Sequence, residues 1–262
     1  MTQQKDIYNR KPFSKRNHID QYVQKSLREE SRDKYENYYQ VVRREAYLNI
    51  AKPGIYNTSF ENIRKWMTDQ LPASVQKSII DIGCGVGHWS GLLAETYSES
   101  ETIGVDLSYQ MVKLAKDHWV EGKVLELDLS EVGFPPLTSH GYTFQNLDFI
   151  QADASDLPFK DQSCSIVISI LSLDRLNDIH QVLKEINRVL DPGGLLLILT
   201  PFNYQSSKLW KSFFPLHKFI KSLDPLQWKP NCIEEGIDYC VPIDVAGNFI
   251  HYKCAGIKMT RL

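Results

Sequence analysis

The 262-residue chain has no apolar run approaching the roughly 20 residues needed to cross a bilayer. Its opening, MTQQKDIYNRKPFSKRNHID, lacks the apolar stretch of a secretory signal. The five cysteines (Cys84, Cys164, Cys232, Cys240 and Cys254) form no CxxC pair and no Cys/His spacing suited to zinc, so no metal is expected. An odd set of thiols is not a disulfide framework and fits a reducing compartment. These absences together predict a cytoplasmic protein. There is no strong charge excess either: the formal net charge is -2, which gives nucleic acid no general attraction. The charge is uneven, however. Residues 1–52 carry 12 basic and 7 acidic groups; totals of 30 and 32 leave 18 and 25 for the rest. Such a basic arm can meet an anionic partner, but a solvated helical surface is the plainer reading.

What is present is a rhythm. Residues 1–18 are polar and predict a loose arm. From Gln21 to Ile50 apolar residues recur at roughly helical spacing until Pro53-Gly54 breaks the pattern. Another helix is expected from Ser59 to Leu71. From Gln76 onward strands and helices alternate. The strands are 78–82, 101–106, 146–153, 164–171 and 195–199, and the helices are 88–97, 108–118 and 177–190. Alternation of this kind predicts βαβ units on a parallel sheet with helices on both faces. Residues 121–145 interrupt it as a lid, a hairpin or a surface insertion. Residues 203–230 predict one helix plus a loop, and the chain should close with a hairpin turning at Ala246-Gly247-Asn248. The expected organisation is an arm with helices over 1–74, covering a domain over 75–262.

The phrase Ile79-Ile80-Asp81-Ile82-Gly83-Cys84-Gly85-Val86-Gly87 places three glycines behind a strand and an acid. Glycine lets the backbone approach a ligand closely. A dinucleotide fingerprint reads GxGxxG, and here the third glycine arrives one residue early. No lysine follows in the place a phosphate-binding loop requires. The motif resembles that of class I S-adenosylmethionine-dependent methyltransferases, in particular small-molecule enzymes of the ubiquinone/menaquinone type. Four further phrases agree in order: GVDLS ending in Asp106, QADASDLPF with Asp153, CSIVISILSLDRL, and EINRVLDPGGLLLIL. The resemblance covers roughly 75–202. It implies a doubly wound, Rossmann-like α/β fold with a seven-stranded, mostly parallel sheet in the order 3-2-1-4-5-7-6.

The resemblance also implies S-adenosylmethionine as cofactor, leaving as S-adenosylhomocysteine. Gly83, Cys84, Gly85 and Gly87 would face its methionine tail and ribose. Asp81 would take the amino group directly or through water. Asp106 would hold the ribose hydroxyls, since a carboxylate offers two acceptor oxygens. Asp153 and Ala154 would lie beside the adenine amine, Leu107 on the adenine face, and Ser169 and Ile170 beneath the sulfonium. Taken singly, each acid is equally a helix cap or a turn.

Methyl transfer needs orientation and desolvation more than a dedicated base. The phrases of amino-methylating nucleic-acid enzymes, the Pro-Cys pair of cytosine attack and a carboxylate cluster for magnesium are all missing. Where relatives often carry Leu-His-His, this chain has Leu173-Asp174-Arg175. Asp174 could orient or deprotonate an acceptor, or cap the next helix. His88 could face the cofactor, or pack the loop. Tyr38, Tyr39, Arg43, Trp210 and Phe214 are acceptor-site candidates, although aromatics at helical spacing are more often core. The expected function is methylation of a small-molecule acceptor by a monomer or homodimer. Methylation of RNA or protein, or cofactor binding without turnover, are the alternatives.

Overall fold

A computed structural model describes residues 7–23, 39–51, 59–225 and 227–262. The sheet is organised around four strands that are apolar on both faces, as interior parallel strands must be. These are β3 (Ser78–Ile82), β4 (Thr102–Asp106), β7 (Leu147–Gln151) and β8 (Cys164–Ile170). All run parallel to their neighbours among them. The remaining strands are β1 (Ser14–Arg16), β2 (Ile19–Gln21), β9 (Leu190–Thr200), β10 (Trp228–Pro242) and β11 (Phe249–Arg261). A separate two-stranded sheet joins β5 (Leu125–Leu129) to β6 (Phe134–Ser139).

Among the described residues the main sheet has nine strands, in the order β1-β2-β7-β4-β3-β8-β9-β11-β10. This corrects the expected seven-stranded sheet: an N-terminal hairpin adds two strands at the β7 edge. The same hairpin corrects the expectation of a loose arm. Tyr22 donates its N–H to Gln151 O at 2.8 Å and stacks on Tyr8 with ring centroids 5.5 Å apart. Arg10 grips Asp156 with both guanidinium nitrogens at 2.8 Å. Nor do Tyr22 and Val23 begin a helix, since β2 ends at Gln21. The rest of that expected helix up to Tyr38 falls outside the described residues.

Helices cover the sheet where their apolar stripes dictate. Described helices are α1 (Tyr39–Ala46), α2 (Ser59–Gln70), α3 (His88–Thr96), α4 (Tyr109–Trp119), α5 (Ile179–Val189), α6 (Ser207–Phe213) and α7 (Leu216–Ser222). A wider π-type turn, Tyr47–Ala51, extends α1. Ser108 caps α4 by accepting from Met111 N, and Asp178 caps α5 by accepting from Gln181 N. The single helix expected in 203–230 is two, α6 and α7. Strand β9 starts at Leu190, earlier than its apolar run suggests, because Leu190 already pairs with Cys164 of β8.

Three buried clusters hold the layers together. One lies between the sheet and α5, α6 and α7. A second joins α1, α4 and the β5–β6 hairpin. The third packs α2 and α3 on the opposite face. The insertion 121–145 therefore folds as a hairpin anchored on α1, where Tyr47 donates its hydroxyl proton to Pro135 O at 2.7 Å. The β10–β11 turn reaches the same place: Arg44 donates to Pro242 O, and Val245 N donates to Val132 O. No described helix is long and apolar enough to cross a membrane.

Candidate cofactor site

The glycine loop leaves β3 and turns into α3 with every glycine left-handed: φ is +70° at Gly83, +53° at Gly85 and +82° at Gly87. L-residues rarely adopt such angles. Two of these glycines are also required by space. A Cβ on Gly83 would sit 2.4 Å from Ser172 Cβ, and one on Gly87 would sit 2.6 Å from the Phe149 ring. At Gly85 a Cβ would meet nothing within 4 Å. Gly85 therefore borders open space, the cradle a ligand would fill. The amides of Gly83 and Cys84 both donate to Val105 O, which ties the loop to β4. Cys84 is buried, and burial pushes its thiol well above the usual range. It acts there as a small apolar residue.

Asp106, at the carboxyl end of β4, is set against this cradle. Its Oδ2 accepts from Gly85 N at 2.9 Å and its Oδ1 from Ser108 N at 2.8 Å. Leu107 follows, its carbonyl accepting from Gln151 Nε2 at 2.8 Å. Gln151 in turn accepts from Gln21 Nε2 at 2.6 Å, so the N-terminal hairpin buttresses this strand end. Asp153 and the buried Ala154 stand two and three residues beyond. Asp153 Oδ1 accepts from the amide and the hydroxyl of Ser155.

Asp81 differs from the other two acids. It is 1% exposed, and its Oδ2 accepts from Ser90 Oγ at 2.6 Å. Burial raises its pKa to about 7 against the opposing Ser90 hydrogen bond, and the nearby Asp106 charge adds to the rise. From β3 the Asp81 side chain thus reaches behind the loop to the first turn of α3.

The exit of β8 forms the other wall. Ser172 Oγ donates to Ile82 O at 2.7 Å, so its contact of 2.7 Å with Ser169 Oγ has Ser169 as donor. Ser169 and Ile170 are buried, and Ser172 pins the β8 exit to the base of the glycine loop. Asp174 follows on the short turn Leu173–Arg175 and is 0% exposed. The capping role considered for it belongs to Asp178 instead. Its Oδ1 accepts from Thr200 Oγ1 at 3.1 Å, and Arg175 Nε stands 3.6 Å from Oδ2. Burial raises its pKa, with Arg175 opposing. Among the described residues the hydroxyl of the buried Tyr204 has no hydrogen-bond partner, and it lies in the field of Asp174.

His88 sits in an aromatic nest, with ring centroids 4.5 Å from Phe60 and 4.8 Å from Trp89. Burial lowers its pKa to about 4, so it is neutral at ordinary pH. The acceptor candidates are not gathered into one box. Arg43 is on α1, where its charge reaches Asp128 of the insertion. Trp210 donates its ring N–H to Tyr204 O at 2.8 Å and meets Phe214 edge-on, with the two rings 38% and 44% exposed. Tyr38 and the Tyr39 side chain lie outside the described residues. Ser90, Ser172 and Gln151 escaped sequence reasoning, because their roles depend on long-range contacts with no local pattern.

Glycines, acids and strand ends together define a nucleotide-type site at the carboxyl edge of an open α/β sheet. Asp106 beside Gly85 is an acceptor suited to a ligand's hydroxyl or ammonium donors rather than to phosphate. The family profile described as "Methyltransferase domain" matches residues 80–198. A demethylmenaquinone methyltransferase of Staphylococcus saprophyticus is 30% identical over 183 residues, covering 65% of this chain and 69% of that protein. One from Listeria monocytogenes serotype 4a is 33% identical over 142 residues, 53% of this chain and 52% of that protein. The matched region thus spans about half the length of the Listeria relative. The solved geranyl diphosphate C-methyltransferase of Streptomyces coelicolor A3(2) has the same fold, with a TM-score of 0.54 at 14% identity over 78% of this chain and 82% of that one. So does the [4+2]-cyclase SpnF, at 0.52 and 16% identity over 77% and 80%. The chain belongs to the class I S-adenosylmethionine-dependent methyltransferases.

Proposed function

We propose that this chain transfers a methyl group from S-adenosylmethionine to a small, largely apolar acceptor. The single observation that carries the reading is the cradle at Gly85, open to a ligand and flanked by Asp106. Asp106 holds the ribose hydroxyls and Gly83, Cys84, Gly85 and Gly87 line the methionine tail. Asp153, Ala154 and Leu107 receive the adenine, while Ser169 and Ile170 support the sulfur end. Asp81 compensates the ammonium group from behind the loop. When bound, the cofactor supplies a sulfonium methyl group open to in-line attack.

The acceptor side is proposed to lie beneath α1, the 121–145 hairpin and α6. There Arg43 is proposed to offer a cation from α1, and Trp210 and Phe214 a separate apolar edge at α6; Tyr38 and Tyr39 stay candidates whose side chains lie outside the described residues. Within the N-terminal residues 1–74, α1 is the part proposed to cover the acceptor side. Asp174 positions the β8–β9 exits and is the group placed to take a proton if the acceptor must lose one. No metal enters this scheme. Nucleic acid is the weaker partner, because three basic residues of the N-terminal hairpin region are engaged within the chain. Arg10 pairs with Asp156, Lys15 with Asp20, and Arg16 lies 4.0 Å from the centroid of the Tyr109 ring.

The names of the relatives make demethylmenaquinone the first acceptor to offer. The experiment incubates purified protein with methyl-labelled S-adenosylmethionine and demethylmenaquinone, in oxidised and reduced form, beside bulk tRNA. Label in the quinone fraction alone supports the reading. Label in tRNA alone replaces it with nucleic-acid methylation.

A further inference from the structure

Sequence patterning leaves the insertion 121–145 without a role, and the structure connects it to the glycine loop through one side chain. Trp119 closes α4 and is buried. Its indole N–H donates to Val86 O, inside the loop, at 2.9 Å. Its ring fills the space kept free by two glycines. A Cβ on Gly87 would lie 2.9 Å from Trp119 Cδ1, and one on Gly91 would lie 2.8 Å from Cε3. On its other side Trp119 stacks on Tyr142 of the insertion, with centroids 4.8 Å apart and planes 22° apart. Tyr142 stacks on Phe144 at 3°, and the amides of Tyr142 and Phe144 donate to the carbonyls of His118 and Trp119. Tyr142 itself is 48% exposed.

We propose that Trp119 is a positioning residue for the cofactor loop and that the insertion's aromatic strut holds it in place. The argument rests on the cofactor reading given above and deepens it. A loop of three left-handed glycines has many backbone states to lose on ordering. Its carbonyl at Val86 needs a donor when buried. The indole satisfies that carbonyl while its ring blocks collapse of the loop toward α4. Gly85, two residues from Gly87, keeps its place beside Asp106 as a consequence. A loop already ordered binds more tightly, because less freedom is lost on binding.

The test compares wild type with Trp119→Phe, which keeps a ring but removes the donor, and with Tyr142→Ala at the exposed end of the strut. Ile186→Val, in the separate cluster beneath α5, serves as a control for loss of packing alone. Calorimetry measures S-adenosylhomocysteine binding. Hydrogen exchange of the peptide spanning 79–90 reports on loop order, and thermal unfolding reports on stability. Trp119→Phe should weaken binding about tenfold and Tyr142→Ala about threefold, both with faster exchange over 79–90. Ile186→Val should lower the melting temperature and leave affinity and exchange over 79–90 unchanged. If Trp119→Phe does not fold, Tyr142→Ala still decides the matter. Unchanged affinity and exchange in the variants that fold would reduce Trp119 to core packing and overturn the proposal. Wild-type protein that binds no S-adenosylhomocysteine would instead overturn the cofactor reading on which the proposal depends.

Discussion

Asp81 offers a quantitative test that needs no substrate. Its carboxyl is buried behind the glycine loop, and burial raises its pKa from 3.8 to about 7. A carboxyl raised in this way is protonated in the folded state over a range where the unfolded chain has lost the proton. Its contribution to stability is fully present below the unfolded pKa, and is lost as pH rises through the folded pKa of about 7. The linkage relation gives a loss of about 3 kcal/mol between pH 4.5 and pH 7.5. That is a large share of the roughly 5–15 kcal/mol that stabilises an ordinary domain. Other groups titrate in the same window, so the measurement is a difference. Asp81→Asn retains an oxygen to accept from Ser90 Oγ but cannot ionise. Urea unfolding of both proteins across this range should show the wild type losing about 3 kcal/mol relative to Asp81→Asn as pH rises. Parallel stability curves would mean that Asp81 titrates normally, and the picture of an acid stored behind the loop would be wrong.

Further outcomes follow from the same geometry. An ammonium group docked near Asp81 should pull its pKa back down, so binding of S-adenosylhomocysteine at pH 6 should release close to one proton. Calorimetry in buffers of different ionisation enthalpy reads that proton, and Asp81→Asn should abolish the release. Asp106→Ala removes an acceptor held at 2.9 Å from Gly85 N and 2.8 Å from Ser108 N. Hydrogen bonds to a charged group contribute about 1.5–3 kcal/mol each, so losing two to the ribose should weaken S-adenosylhomocysteine by about 100- to 10,000-fold with the fold intact. Gly85→Ala and Gly193→Ala both place a side chain at positive φ with no neighbour within 4 Å, and each should cost about 1–2 kcal/mol of stability. Only Gly85→Ala should also weaken the cofactor, which titration of the two variants side by side will show.

The parts of this molecule that were legible in its sequence are those in which neighbours along the chain share one task. The five apolar runs of the sheet and the stripe of α5 are local patterns, and the glycine loop declares itself by residue type. The N-terminal hairpin was hidden because its strands, Ser14–Arg16 and Ile19–Gln21, are too short to show a period. Its place depends on Tyr22 meeting Gln151, far along the chain. Pro192-Gly193-Gly194 reads as a break before β9, whereas Leu190 already pairs with β8 and pairing resumes at Leu195 after an irregularity. Asp174 reads as a possible cap, but it is buried against Thr200 and the capping bond to Gln181 N comes from Asp178. The candidate cofactor residues were named from one phrase each. What could not be read is the second layer that holds them: Ser90 beneath Asp81, Ser172 beneath Gly83 and Trp119 beneath Gly87. Among the described acceptor candidates, Arg43 is on α1 while Trp210 and Phe214 are on and just after α6, and the two helices pack in different clusters. Helical spacing alone does not indicate that separation.

The most direct test of the central claim is a calorimetric titration of the purified chain with S-adenosylhomocysteine and, separately, NADH. The account predicts one S-adenosylhomocysteine site of micromolar affinity and no NADH binding. Binding of NADH without S-adenosylhomocysteine would contradict it at the glycine loop itself.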